Sequence, residues 1–219
     1  MGSKVFLAVI FCALGFAGAV LYVRQQIQAR PAPAFHEHAD IALFIDGTRF
    51  DFSKPEFMSN VPCKISRSPK FVLTAQAHGL DVTEAVHLHD GDGEVIHLHQ
   101  PGVTVHDFFE SLNMRFEDGS FTDHEGRRYQ QDGTRSFRYA INGKEVPTLQ
   151  DYVFRDLDRV LISYAKQDRD ETAFLSELGQ LSGRSCVFSG VCPGQGLAPV
   201  ESCGATGSKE GFILRYLGI

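Results

Sequence analysis

The chain has 219 residues, 43% of them hydrophobic, with 21 Lys and Arg against 27 Asp and Glu. The first 30 residues hold three of the basic residues and no acidic one, which leaves a net charge of −9 on the rest. That excess speaks against nucleic acid as a partner, since phosphate binding needs basic patches, and it is compatible with cations; all nine histidines lie in the acidic part.

Residues 1–4 read as a short cytoplasmic N-terminus. Val5 to Val23 is a run of 19 apolar or small residues without a charge, near the length that spans a bilayer as a helix. Lys4 precedes it, and Arg24 and Arg30 follow. The run is longer than a usual signal-peptide core and is predicted to be a transmembrane anchor. A cleaved signal peptide is the alternative, with Ala17-Gly18-Ala19 or Ala32-Pro33-Ala34 as cleavage candidates. In either case the body of the protein leaves the cytoplasm, and the expected location is the cell membrane, single-pass, with the main domain outside. Residues 24–35 form a linker.

His36-Glu37-His38-Ala39-Asp40 leads into the apolar stretch Ile41-Ala42-Leu43-Phe44-Ile45, a strand. Asp46-Gly47 is a hairpin turn signal, and Thr48 to Phe52 alternates as the return strand. Ser53 to Asp81 is irregular, with three prolines and Cys63. Val86 to Gln100 reads as a second hairpin, carrying His87-Leu88-His89 and His97-Leu98-His99 around Asp90-Gly91-Asp92-Gly93. Thr104 can cap a short helix with Val105, Phe108, Phe109 and Leu112 at helical spacing.

Arg115 to Thr134 is polar and Gly-rich, a loop with a small hairpin. Ser136 to Ile141 is a strand, Asn142-Gly143 a turn, Lys144 to Val146 the return, and Arg159 to Tyr164 a closing strand. Phe174, Leu175, Leu178 and Leu181 suggest a helix. The order predicts an α+β domain over residues 36–165, a small mixed β-sheet packed on a helix in a β-grasp-like arrangement. A helix and Cys-rich tail fill 166–219.

Cys12 lies inside the apolar run. Cys63, Cys186, Cys192 and Cys203 remain, and an even number in an exported domain predicts two disulfides. Three connectivities are open; one that links Cys63 to the C-terminal group would staple the tail to the domain. Without a Cys-x-x-Cys there is no thioredoxin-type redox motif.

Several motifs together resemble a group of prokaryotic exported or membrane-anchored His-rich proteins. They are His-x-His-Ala-Asp at 36–40, Phe-Asp-Phe-Ser-Lys-Pro at 50–55, the His-Leu-His pairs around Asp-Gly-Asp-Gly, Gly-Val-Thr-x-x-Asp-Phe-Phe at 102–109, and Ile-Asn-Gly-Lys at 141–144. Asp-Leu-Asp-Arg-Val-Leu-Ile-Ser-Tyr at 156–164 and the tail Cys-Val-Phe-Ser-Gly-x-Cys-Pro at 186–193 complete the set. The resemblance covers most of 36–203 and implies an exported single domain; it adds little about chemistry. The outline also resembles ubiquitin-like sulfur carriers, but the terminal Gly-Gly of those proteins is missing here.

The histidines carry the chemistry. Successive strand side chains point to opposite faces, so each His-x-His pair projects both rings to one side. The two hairpin pairs share that side only when opposed residue numbers sum to an even value, as with a three-residue loop or a bulge. His87, His89, His97 and His99 are then candidate ligands, with His36 and His38 as a third pair if the first strand adjoins the hairpin. Imidazole-rich sites suit zinc or copper. Asp90 and Glu94 could orient ring N–H groups.

His36-x-His38-x-Asp40 overlaps a metallo-β-lactamase string, but Ile41 stands where that motif needs histidine. Asp90 to Glu94 lacks the length and distal Glu of a calcium loop and reads as a turn. His78, His106 and His124 are isolated and read as structural or solvent-exposed.

The leading expectation is an extracytoplasmic zinc or copper binding protein for sequestration, delivery or sensing, more a binding module than an enzyme. The alternatives are a zinc-dependent hydrolase with Glu94 or Glu37 as base, and a non-metal, pH-responsive interaction domain.

Overall fold

The unbroken apolar run at 41–45 has no polar side to show to water, and the protein gives it none. A computed structural model describes residues 35–59 and 82–193. In it β1 (Glu37–Ile45) is buried on both faces from His38 to Phe44, as strands inside a covered sheet are. It runs parallel to β10 (Arg159–Lys166), with Ile41 opposite Val160 and Leu43 opposite Ile162. β8 (Arg135–Ile141) lies antiparallel on β10, and β9 (Lys144–Val146) returns along β8 through Asn142-Gly143.

On the other side of β1 come β4 (Val95–Leu98) and then β3 (Val86–His87), both antiparallel pairings. The sheet order is β3-β4-β1-β10-β8-β9, with β2 (Thr48–Arg49) appended to β1. The helix α1 (Val82–Ala85) leads directly into β3.

Both Asx-Gly turns form as expected, with positive φ at both central residues: 51° and 78° at Asp46-Gly47, 53° and 78° at Asn142-Gly143. This is the twist that suits a two-residue hairpin. The return strand after Asp46-Gly47 is shorter than its alternation predicts. Asp51 accepts from the Ser53 backbone N–H at 2.9 Å and from its hydroxyl at 2.6 Å, an Asx turn that ends extended pairing. Phe52 turns into the core beside Phe50 and Phe57.

Helix α2 (Val105–Ser111) begins at the predicted Thr104, whose hydroxyl and backbone exchange hydrogen bonds with Asp107 in a capping box. It buries Val105, Phe108 and Phe109 against Ala39, Ile41, Leu43, Ile96 and Leu98 on one face of the sheet. Residues 115–130 hold more order than a loop with a hairpin. They form a second sheet of β5 (Arg115–Glu117), β6 (Ser120–Thr122) and β7 (Arg128–Gln130). Phe116 and Phe121 pair across it and are fully buried, and that burial orders an otherwise polar segment.

The opposite face of the main sheet presents Ala42, Phe44, Ala140 and Leu161, covered by Phe174 and Leu181. Phe174 belongs to α3 (Glu171–Gly179), capped by Asp170. Of the predicted stripe, Leu175 instead faces outward, 56% exposed. Helix α4 (Ser185–Phe188) follows.

Asp40, buried in β1, ties this segment down. Its carboxylate accepts from the Ser182 hydroxyl, from the Arg184 backbone N–H at 2.8 Å, and from Ser185 through its backbone N–H at 3.2 Å and its hydroxyl at 2.6 Å.

Cys186 and Cys192 form a disulfide. This closes a short loop within the tail, so the two cysteines are not partners for Cys63. Cys63 and Cys203 lie outside the described residues, as do the predicted N-terminus, anchor and most of the linker. Among the described residues no helix is long and apolar enough to cross a membrane. The mixed α+β architecture agrees with the sequence expectation.

Candidate functional site

β4 lies between β3 and β1, and its register sets histidine against histidine on both sides. His97 is opposite His38 on β1 and opposite His87 on β3. Opposed residues share a face, and so do residues two apart along a strand. His36, His38, His87, His89, His97 and His99 therefore lie on one face of three neighbouring strands. The alternation sorts each triplet: Leu88 and Leu98 enter the core under α2, while the flanking histidines face the side covered by the C-terminal segment. The connection that achieves this runs from Leu88 to Glu94. It is longer than a tight hairpin loop, and it turns at Asp90 and Gly91 with φ of 58° and 73°.

Five of the six rings are buried, and His36 is half-buried at the rim. Ring centres are 4.5 Å apart for His36 and His38, 4.8 Å for His38 and His97, and 5.9 Å for His36 and His97. One ligand nitrogen from each of these three rings lies within 4.8 Å of the other two. The array continues toward β3. His99 stacks on His36 and on His87, 4.7 Å from each, and His89 is 5.8 Å from His87 and 3.7 Å from His97.

Three rings are held from behind by acceptors. His87 Nδ1 meets the Thr83 carbonyl at 2.8 Å. His89 Nδ1 meets Asp90 Oδ2 at 2.8 Å. His38 Nδ1 lies 2.9 Å from the Ser189 hydroxyl, which donates its own hydrogen to Asp156 Oδ1 at 2.8 Å and so accepts from the ring. In each case the proton is drawn to Nδ1, and the lone pair falls on Nε2. An outer acceptor that fixes the tautomer is the usual companion of a metal-binding imidazole.

His99 is held neutral. Burial, together with His87, His36, His97 and His89 around it, pushes its imidazole down to about 2. Neutral imidazole is the form that binds metal.

The C-terminal segment covers the array at His38 and His97. The Phe188 ring stands 5.7 Å from His38 and 5.4 Å, edge-on, from His97. Phe188 and Ser189 both fall inside the loop closed by Cys186 and Cys192.

Other candidates lie elsewhere. Asp90 orients a ring as expected, but Glu94 pairs with Arg49 at 2.8 Å and stands 3.8 Å from Arg184. Glu37 alternates to the other face of β1; burial and the neighbouring Asp156 raise its carboxyl. His106, on α2, bonds the Phe116 carbonyl at 3.0 Å. His124 packs edge-on against Phe57 at 4.8 Å. Both are structural, as expected, and His78 is outside the described residues. Asp40 serves the tail, as described above.

Sequence reasoning missed Thr83, Asp156, Phe188 and Ser189. The one available signal was the pair of cysteines bracketing Phe188-Ser189. No protein-family profile matches the chain, and neither does a curated protein or a solved structure.

Proposed function

We propose that this is an extracytoplasmic, membrane-anchored transition-metal binding protein that holds zinc or copper in its histidine array for sequestration, delivery or sensing. The carrying observation is that ligand nitrogens of His36, His38 and His97 lie within 4.8 Å of one another. With metal–nitrogen bonds of about 2.0–2.1 Å, small ring rotations bring all three onto one ion. An all-imidazole donor set suits zinc and copper.

The Cys186–Cys192 disulfide supports an oxidising compartment, and the apolar run 5–23 supports a membrane tether. The central parallel pair β1 and β10, with α2 on one face, supports the β-grasp-like description of residues 36–165.

Binding is favoured over hydrolysis by the surroundings of the two candidate bases. A zinc hydrolase needs an open coordination position and a base beside it. Glu94 is engaged by arginines, and Glu37 belongs to the other face of its strand.

The test is elemental analysis of the full chain purified without a His tag and loaded with Zn(II) or Cu(II). A variant with His36→Ala and His38→Ala provides the comparison, with circular dichroism to verify its fold. Metal retained after desalting in the parent and reduced in the folded variant supports the reading. A parent that retains neither metal refutes it and shifts weight to a pH-responsive interaction surface.

A further inference from the structure

We infer that Asp156 is the positioning residue that makes His38 a metal ligand: it grips the His38 backbone directly and, through the Ser189 hydroxyl, decides which ring nitrogen keeps its lone pair. This rests on the metal-binding reading above and gives that site a control residue far from it in sequence. Of the three rings held from behind, His38 is the one in the group whose ligand nitrogens converge.

Ser189 cannot make the choice by itself. A serine hydroxyl holds one hydrogen and also accepts, so it can donate to an imidazole nitrogen or accept from one. An ionised carboxylate only accepts. Asp156 Oδ1, 2.8 Å from Ser189 Oγ, claims the hydroxyl hydrogen. The hydroxyl is left to accept from His38 Nδ1 at 2.9 Å. The ring proton is thereby placed on Nδ1 and the lone pair on Nε2, and the deciding group is the carboxylate.

The same oxygen holds the strand. Asp156 Oδ1 also accepts the His38 backbone N–H at 3.1 Å, and the adjacent Leu157 N–H donates to the His38 carbonyl at 2.7 Å. Backbone and ring of one histidine are fixed from one short loop. Leu157 makes its bond at a φ of 68°, in the left-handed region that a leucine rarely enters. Such a conformation costs energy, persists only where the surroundings over-determine it, and gathers at functional sites. Here it coincides with the grip on His38.

The relay also solves a problem of solvation. His38 is buried and Asp156 is exposed. A carboxylate set directly against the buried ring would lose its water. Ser189 spans the gap, so the charge stays hydrated while the ring still meets an acceptor polarised by it. Acceptors of this kind raise the basicity of a ligating imidazole, and their loss lowers metal affinity about 10–100-fold.

The experiment reads the His38 ring by nitrogen-15 NMR in the metal-free full chain, and Zn(II) affinity by calorimetry. The parent is expected to carry the ring proton on Nδ1. Asp156→Ala frees the Ser189 hydroxyl to donate to Nδ1, so the proton is expected on Nε2. Ser189→Ala, which leaves both backbone bonds to His38 in place, is expected to lose the Nδ1 preference, and Ser189→Thr, which keeps a hydroxyl, to retain it. Zn(II) affinity should fall about 10–100-fold in the two alanine variants and match the parent in Ser189→Thr. A folded Asp156→Ala protein with the proton still on Nδ1 overturns the inference, as does unchanged affinity in Ser189→Ala. If Asp156→Ala does not fold, the two Ser189 variants decide. A ring that responds as expected in a parent that binds no Zn(II) overturns the metal-binding reading instead, and leaves Asp156 no ligand to position.

Discussion

At the residue scale, the array depends on a side chain that is not a ligand. Asp40 occupies the third place of His36-x-His38-x-Asp40, two residues beyond a candidate ligand. Strand alternation puts it on the same face as the histidines, but its oxygens are consumed by Ser182, Arg184 and Ser185. Asp40→Ala strips those donors of their acceptor inside a buried site, which costs about 2–4 kcal/mol. The urea midpoint should fall accordingly with an unchanged slope. Zn(II) affinity should weaken in the same variant, because Phe188 and Ser189 follow directly in the segment that Asp40 holds. A loss of stability within about 0.5 kcal/mol, the range of ordinary surface substitutions, would contradict this role. Gly93 shows a similar hidden duty. The turn at Asp90-Gly91 is readable from its residues, since both take positive φ. Gly93 is required for another reason: a Cβ there would collide with the backbone of Phe52 and Ser53, a contact between distant segments that no local pattern announces.

At the element scale, the strands around the site were readable and its roof was not. Alternation in His87-Leu88-His89 and His97-Leu98-His99 marks half-buried strands, and the unbroken run Ile41 to Ile45 marks a central one. The even register between them rests on the long connection Leu88 to Glu94, a tertiary outcome. The cover over His38 and His97 could not be anticipated, because it comes from the Gly- and Ser-rich tail, whose sequence has weak periodicity. Its small helix α4 runs into a loop closed by Cys186 and Cys192. A crosslink across so short a loop stabilises by about 2 kcal/mol, on the chain-entropy account. Replacing both cysteines, Cys186→Ser with Cys192→Ser, should therefore lower the unfolding free energy by about that amount. It should also speed the release of Zn(II) to an excess of chelator, since Phe188 and Ser189 lose their tether over His38 and His97. Stopped-flow release with an unchanged rate would show that Asp40 alone holds the roof.

At the scale of the whole molecule, a sheet that buries imidazoles on one face and phenylalanines on the other must respond to acid from the imidazole side. The His99 ring is held down at about 2 against an ordinary 6.5, first by burial and then by the neighbouring rings. The unfolded chain thus takes up a proton at His99 near pH 6.5 that the folded metal-free protein refuses. Stability rises with pH wherever the unfolded state binds more protons; this contribution is undiminished above 6.5 and is lost progressively as the pH falls toward 2. The slope approaches about 1.4 kcal/mol per pH unit for this one group. Glu37 acts in the opposite sense, because its carboxyl is raised in the folded state. Glu37 is unchanged in His99→Gln, so comparing the two proteins over the interval from about pH 6.5 to 5 isolates the histidine. Urea unfolding of the metal-free protein across that interval should show a falling midpoint, and His99→Gln, which cannot take the proton, should flatten the fall. Bound Zn(II) should raise the midpoint at pH 7 by mass action and lose that advantage as acid competes for the ligands. A metal-free midpoint that is level from 6.5 to 5, and equal in the His99→Gln variant, would mean that the folded array accepts the proton after all and that burial does not enforce neutrality at this face.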